Sequence, residues 1–322
     1  MGVLTEIANN EDLCGECPVW DPQARCLYWT DITGKRVWRY HWSTAEVTLI
    51  QSEIEVCGLV RNKSGGFVVT NSAGFHLWNI GELPRLLVAD VDGVPCQLND
   101  CIADADGRVL AGSQFYNPNG DYPLGHLFVL DARGQARVLD EGFHLANGLA
   151  WSLDGKTFYL TDSIARRIYA YDYDLEQGAV RNRRVLVQVP RTEGIPDGLT
   201  TDSEGFLWSA QWYGSCVMRY DPEGKAVVRV STPAKQTSSV IFGGPSLDEL
   251  YITTAKKPEP GPVPPGYDPN AGYVGGRLYR ADPQVCGVPG YQSNIRTPDL
   301  GAILRAGEEN NTSRKRGCGI GQ

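Results

Sequence analysis

Residues 147–161 read NGLAWSLDGKTFYLT, and this stretch decides the fold. A polar residue is followed by an apolar run, a turn that ends at Gly155, and a second run rich in aromatic and β-branched residues. Short runs of this kind, bounded by Gly, Asp and Asn, are typical of strands joined by tight turns. The stretch therefore predicts two antiparallel strands.

The same phrase recurs six times along the chain, at spacings of 41, 42, 48, 50 and 41 residues. The first residues of the six phrases are Glu16, Cys57, Asn99, Asn147, Asp197 and Ser238. A period of about 40–50 residues is typical of propeller blades. One small sheet cannot bury both of its faces, whereas six sheets arranged radially can. The repeat predicts an all-β, six-bladed β-propeller with four-stranded antiparallel blades around a central channel.

The chain has 322 residues, a length that all-β propellers reach as one domain. We predict that residues 1–305 form a single propeller domain and that residues 306–322 form a mobile tail. The sixth repeat is interrupted by a stretch rich in Pro and Gly at residues 257–276, which predicts a long surface loop.

Composition limits the partners and the location of the protein. A net charge of −8 and a pI near 5.1 disfavour binding to phosphate backbones and to anionic lipid, so we expect neither nucleic acid nor membrane as a partner. The first thirty residues contain no basic start followed by an apolar stretch, and no apolar run of about 18 residues occurs, so we expect the protein to be neither secreted nor membrane-spanning. Nine scattered cysteines indicate reduced thiols, which predicts a cytoplasmic location. The oligomeric state stays open.

The first residues of the six phrases should form a ring, because the first strand of every blade lines the channel. Four of these residues carry carboxylate or amide oxygens, which suit a hard divalent cation such as calcium, magnesium or manganese, with zinc or iron tolerated. Asn-Gly and Asp-Gly are also common turn dipeptides, so a turn role is the alternative for any single position. However, Asp104, Ser152 and Asp202 already occupy the turns of their repeats. The ring predicts one divalent metal ion at the channel mouth.

Several phrases, in order, resemble the regucalcin/gluconolactonase family, which includes senescence marker protein and luciferin-regenerating enzyme-like proteins. They include GECPVWD at 15–21, NDCIADADGR at 99–108, DGLTTDSEGFLWSA at 197–210 and GGRLYRADP at 275–283, and the resemblance covers about residues 15–290. It implies a six-bladed propeller whose divalent metal is bound by Glu16, Asn147 and Asp197. It also implies that Asn99 contacts the substrate.

Two positions depart from the family pattern. Members that act on sugar-acid lactones often carry an Arg where this chain has Gln97, and a Glu in the region where Tyr116 and Asn117 stand. We expect Gln97, Tyr116 and Asn117 to contact the substrate. Because a neutral amide makes weaker hydrogen bonds than a guanidinium, Gln97 favours neutral pentono- or deoxyhexono-lactones over lactones that carry a carboxylate.

These residues predict a divalent-metal-dependent hydrolase that opens a small sugar-type lactone, as a gluconolactonase does. A single metal polarises the ester carbonyl and lowers the pKa of bound water, and Asp197 is the candidate general base and catalytic residue. Neither a G-x-S-x-G nucleophile elbow nor an H-x-x-x-H metal motif occurs. Two alternatives stay open: a calcium- or ligand-binding regulatory propeller, and a metal-dependent esterase or other sugar-acid enzyme that uses the same site.

Overall fold

A computed structural model describes residues 4–114, 124–256, 265, 266, 268, 271 and 274–296. These residues form 26 β-strands, β1 to β26 in chain order, and no helix. Twenty-four of the strands build six four-stranded antiparallel sheets, which confirms the six-bladed β-propeller predicted from the repeat. No helix in this part of the chain is long and apolar enough to cross a membrane. Most of the 257–276 insertion and the whole 306–322 segment lie outside the described residues.

Each blade is built from strands that follow one another in the chain. Blade 1 contains β2 (Gly15–Asp21), β3 (Cys26–Asp31), β4 (Arg36–His41) and β5 (Glu46–Ser52). Blade 2 contains β6 (Gly58–Arg61), β7 (Phe67–Asn71), β8 (Gly74–Trp78) and β9 (Arg85–Val88), and a small hairpin of β10 (Asp90–Val91) and β11 (Val94–Pro95) follows. Blade 3 contains β12 (Leu98–Ala103), β13 (Val109–Ser113), β14 (Gly125–Leu130) and β15 (Ala136–Phe143).

The remaining blades follow the same plan. Blade 4 contains β16 (Ala146–Trp151), β17 (Thr157–Asp162), β18 (Arg167–Asp174) and β19 (Ala179–Gln188). Blade 5 contains β20 (Ile195–Thr201), β21 (Leu207–Trp212), β22 (Cys216–Tyr220) and β23 (Ala226–Ser231). Blade 6 contains β24 (Gln236–Gly243), β25 (Glu249–Ala255), β26 (Arg277–Ala281) and β1 (Thr5–Asn9). The first strands β2, β6, β12, β16, β20 and β24 contact one another in this order and back to β2, so they enclose the channel.

The two ends of the propeller are joined in blade 6. Strand β1 pairs antiparallel with β26, so an N-terminal strand completes the last sheet, an arrangement that the repeat register did not anticipate. Asp12 reinforces the junction, because its main-chain N–H donates to Gly276 and its carbonyl accepts from Lys256, both at 2.9 Å. Its buried carboxylate accepts hydrogen bonds from the indoles of Trp29 and Trp38 at 2.9 and 3.0 Å. Backbone and side-chain hydrogen bonds therefore close the ring of blades.

The predicted turns follow the first strands. Gly107, Gly155 and Gly205 have φ values of +86°, +67° and +83°, which a residue with a side chain adopts only with strain. The N–H of Gly107 donates to the carbonyl of Asp104 at 3.0 Å, and Gly205 does the same with Asp202. The turn role predicted for Asp104 in blade 3 and for Asp202 in blade 5 is thereby confirmed.

A segment at residues 282–296 crosses the end of the channel at which the first strands finish. Gly287 bridges to Asp202 of blade 5, and Ser293 bridges to Asn62 of blade 2. The N–H of Asn294 donates to Gly107 of blade 3 at 2.8 Å. This segment, which we call the strap, was not anticipated from the sequence. Since the first strands begin at the opposite end, the predicted ring lies at the mouth away from the strap.

Candidate active site

The inner strands leave regular antiparallel pairing at the ring position. Register shifts occur between Glu16 and Val19, Leu98 and Cys101, Asn147 and Leu149, Pro196 and Leu199, and Thr237 and Ser239. Strand β6 pairs regularly from Gly58 onward. A β-bulge leaves residues unpaired and turns their side chains, and bulges are frequent beside active sites. Asn99, Asp197 and Ser238 therefore lie within these irregular stretches, and Glu16 and Asn147 are the paired residues that border them.

The glycines that follow Asn147 and Asp197 are needed for close packing. A Cβ on Gly148 would lie 2.3 Å from the carbonyl oxygen of Asp197, and a Cβ on Gly198 would lie 2.0 Å from Oγ of Ser239. Neither glycine has a positive φ. The Asn-Gly and Asp-Gly dipeptides are therefore not turns, and the turn alternative fails at these two positions.

Replacing Gly148 with Ala is expected to lower the free energy of unfolding by about 1–3 kcal/mol, because the new methyl group meets backbone that cannot move independently of the site. The strand carrying Asp197 must shift, so the kcat for any reaction at this site should also fall. Thermal unfolding and turnover measure the two effects. Gly290→Ala is the matched control, since a Cβ there meets no atom within 4 Å and φ is ordinary. A Gly148→Ala protein as stable as the control would contradict the packing argument.

Glu16 and Asp197 are two buried carboxylates, with 7% and 5% of their surfaces exposed. Oε2 of Glu16 accepts the N–H of Cys17 at 2.9 Å, whereas Oδ1 of Asp197 is buried with no hydrogen-bond partner among the described residues. Burial, with the nearby charge of Asp100, raises the pKa of Glu16 to about 8. Burial, with the charges of Glu16 and Asp100, also raises the pKa of Asp197 well above its usual value. A cation between these groups would relieve both effects.

Two amides stand beside these carboxylates. Nδ2 of Asn147 donates to Oγ of Ser163 at 3.3 Å, and the same side chain hydrogen-bonds Asp197, which opposes the rise in the pKa of that carboxyl. Nδ2 of Asn99 donates to the carbonyl of Ala146 at 3.0 Å. Since both amide nitrogens are used within the protein, the amide oxygens are the atoms left for a ligand.

The other predicted residues have different surroundings. Gln97 is exposed, and its carbonyl accepts the N–H of Gln114 at 2.9 Å. Oγ of Ser238 donates to the carbonyl of Gly15, so it joins blades 6 and 1. Tyr116 and Asn117, predicted as substrate contacts, lie outside the described residues.

Asp100 is a site residue that the sequence analysis missed. It occupies the bulge of β12 directly after Asn99, and its Oδ1 accepts the N–H of Cys101 at 2.8 Å. Burial raises its pKa to about 6, and its own charge raises the pKa values of Glu16 and Asp197. The signal was present in the repeat. The residues that follow the six ring positions are Cys17, Gly58, Asp100, Gly148, Gly198 and Ser239, and Asp100 alone among them is a carboxylate.

Comparison with protein families identifies the family of this chain. Residues 14–256 match the family model described as the SMP-30/Gluconolactonase/LRE-like region. The chain belongs to this family. The match includes all four oxygen-bearing ring residues and Asp100.

Family relatives cover most of this chain. It is 36% identical over 293 residues to Pentonolactonase XacC from Haloferax volcanii, covering 91% of this chain and 99% of the relative. It is 38% identical over 247 residues to Regucalcin from Xenopus laevis, covering 75% of this chain and 83% of the relative. A luciferin-regenerating enzyme has a similar solved structure, with a TM-score of 0.81 and 29% identity over 92% of this chain and all of the other.

The residues at the mouth fit a divalent cation. Within the described ranges, no three His, Cys, Asp or Glu side chains converge closely enough to hold a metal ion by themselves. An ion would therefore need amide oxygen in addition to the carboxylates of Glu16 and Asp197, and Asn147 is placed to supply it. The unpartnered Oδ1 of buried Asp197 is the observation that favours a cation here. All the donors are oxygens, the ligands that calcium, magnesium and manganese prefer.

Proposed function

We propose that this protein is a lactonase, a hydrolase that opens a small sugar-type lactone with one divalent cation. The observation that supports it most directly is the buried Asp197 carboxylate, whose Oδ1 has no hydrogen-bond partner in the described structure and whose pKa is raised. A buried carboxylate with an unpartnered oxygen at a channel mouth has the chemistry to hold a cation with one oxygen and to take a proton from water with the other. The name of the Haloferax volcanii relative, a pentonolactonase, supports the same substrate class.

Glu16, Asn147 and Asp197 would hold the cation, which when bound would polarise the lactone carbonyl and make water a better nucleophile. Asp197 would accept the proton of the attacking water at the carboxylate oxygen that does not hold the cation. The ester bond between the carbonyl carbon and the ring oxygen then breaks, and the departing alkoxide takes the proton from Asp197. The hydroxy acid so formed ionises and releases a proton to solvent. Asn99 would orient the ring through a hydrogen bond from a substrate hydroxyl to its amide oxygen.

The cation could be calcium, magnesium, manganese, zinc or iron, and the all-oxygen donor set favours the first three. Binding without turnover is the second candidate function, supported by the 38% identity to a regucalcin. The pentonolactonase relative covers 91% of this chain against 75% for the regucalcin, which favours the hydrolase.

Proton release during ring opening tests the proposal on a panel of lactones, with each cation added in turn. We expect pentono- and deoxyhexono-lactones to have higher kcat/KM than lactones that carry a carboxylate, because the exposed amide of Gln97 offers no charge to an anionic substrate. Cation binding without hydrolysis of any lactone would favour the binding function instead.

Gln97→Arg is the companion variant for substrate choice. A guanidinium at this exposed position should raise kcat/KM for carboxylated lactones by roughly tenfold, since charged hydrogen bonds contribute about 1.5–3 kcal/mol against about 1 for neutral ones. The kcat/KM for neutral lactones should change much less. Gln23→Arg, an exposed substitution in the β2–β3 turn, adds the same charge away from the mouth. If carboxylated lactones are the best substrates of the unaltered protein, the argument from Gln97 is wrong, although the lactonase proposal survives.

A further inference from the structure

A cavity of about 710 Å³ runs along the channel below the candidate active site. The strap lines it at one end, through Val288 and Tyr291, and Asp100 and Cys17 line it at the other. Glu16, Asn147 and Asp197 are not among its lining residues. Asp100 therefore lies between the proposed cation ligands and an internal cavity whose walls are mostly apolar.

Asp100 is connected to Glu16 through Cys17. Oδ1 of Asp100 lies 3.7 Å from Sγ of Cys17, and the same sulfur accepts the main-chain N–H of Leu59 at 3.0 Å. The main-chain N–H of Cys17 in turn donates to Oε2 of Glu16 at 2.9 Å. Cys17, Leu59 and Asp100, which lie in three adjacent inner strands, thus fix the position of Oε2 of Glu16.

The backbone at Cys17 shows why this connection matters. Cys17 has φ = +43°, in the left-handed region that a non-glycine residue enters only at a cost. Such a conformation persists when surrounding contacts determine it, and here the contacts are those of the Cys17 sulfur with Leu59 and Asp100. This conformation aims the N–H of Cys17 at Glu16.

We infer that Asp100 is a positioning residue that sets the affinity of the mouth for a divalent cation. It acts in two ways, through the contact with Cys17 that orients Glu16 and through its own negative charge in a poorly solvated channel. Asp100 stands directly after the ring residue of its strand. The other five inner strands carry Cys, Ser or Gly at this position, so Asp100 is the one carboxylate there. The inference rests on the proposed function, because it concerns the cation of that same site.

Isothermal titration of the cation-free protein with Ca²⁺, Mg²⁺, Mn²⁺, Zn²⁺ and Fe²⁺, each alone, tests this role. For the cation that the unaltered protein binds most tightly, Asp100→Asn should raise Kd at least tenfold. Cys17→Ala keeps the charge of Asp100 and removes the sulfur contact, so it should raise Kd by a smaller factor of about two to five. Thr200→Val is the control, because this residue lines the same cavity away from Glu16 and should leave Kd unchanged.

The outcomes separate this inference from the proposed function. If the unaltered protein binds none of the five cations, both fail. If it binds one and folded Asp100→Asn binds equally well, only the role of Asp100 is overturned. If Asp100→Asn does not fold, Cys17→Ala decides, since an unchanged Kd would remove the link between Asp100 and Glu16. A structural role alone would lower Tm in the variants and leave Kd as it is.

Discussion

Replacing Asp197 with Asn is expected to lower the kcat of lactone hydrolysis by about 10³-fold or more, because the substitution removes both a cation ligand and the proposed general base. General-base catalysis alone contributes about 10²–10⁴. The change preserves size and removes the carboxylate whose Oδ1 has no partner. Since that carboxylate is costly to bury, folded Asp197→Asn protein should be at least as stable as the unaltered protein when no cation is present.

Two measurements check this expectation, the rate of proton release from a neutral lactone and Tm in a chelating buffer. Asp221→Asn is the matched control, because it makes the same change in blade 5 at a turn, where the carboxylate only accepts the main-chain N–H groups of Glu223 and Lys225. The control should keep full activity. Retention of more than a tenth of the unaltered kcat by Asp197→Asn would exclude Asp197 as the base.

The repeat predicted the blade number and the ring because each blade obeys the same local rules. An apolar run follows the ring position in every phrase, and a turn glycine stands eight residues after it in four of the six, at Gly65, Gly107, Gly155 and Gly205. These features need only a few neighbouring residues to act. The turns at Gly107, Gly155 and Gly205 follow from them directly. Hence the amino-acid sequence alone sufficed to assign Glu16, Asn147 and Asp197 to inner strands around one channel.

Other parts of the site depend on contacts between blades and could not be predicted from one phrase at a time. Bulges at the ring position turn two successive side chains away from regular pairing, which is why Asp100 was missed although Asn99 was not. The need for glycine at Gly148 comes from the backbone of the next blade. The strap and the pairing of β1 with β26 join segments far apart in sequence, and no local pattern specifies those partners.

Removing divalent cations is expected to abolish lactone hydrolysis and to make stability strongly dependent on pH. Glu16 has a folded-state pKa of about 8 against an ordinary value of 4.5, so between these values the folded protein holds a proton that the unfolded chain has lost. The resulting stability is fully present below about pH 4.5 and is lost as pH rises through about 8. At about 1.4 kcal/mol per pKa unit, Glu16 alone accounts for a few kcal/mol.

Asp197 acts in the same direction, because its pKa is also raised by burial and by its neighbours. Tm of the cation-free protein should therefore fall by roughly 5–10 °C between pH 5 and pH 8.5, given about 2–4 °C per kcal/mol for a chain somewhat smaller than this one. Adding back the tightest-binding cation should restore activity and raise Tm, and the rise should be larger at pH 8.5, where both carboxylates must ionise.

Asp12 also contributes to the pH dependence of stability, because burial raises its pKa to about 7; it lies where blades 1 and 6 are joined. The Glu16→Gln variant separates the contribution of Glu16 to this pH dependence from that of Asp12. The Gln side chain keeps its size and cannot titrate, so the fall in Tm with pH should be smaller in this variant, and the stabilisation by cation should largely disappear. Differential scanning calorimetry at several pH values, with and without cation, measures both slopes. Equal slopes in Glu16→Gln and unaltered protein would show that Glu16 keeps an ordinary pKa, and full lactonase activity in chelated protein would remove the cation from the proposed mechanism.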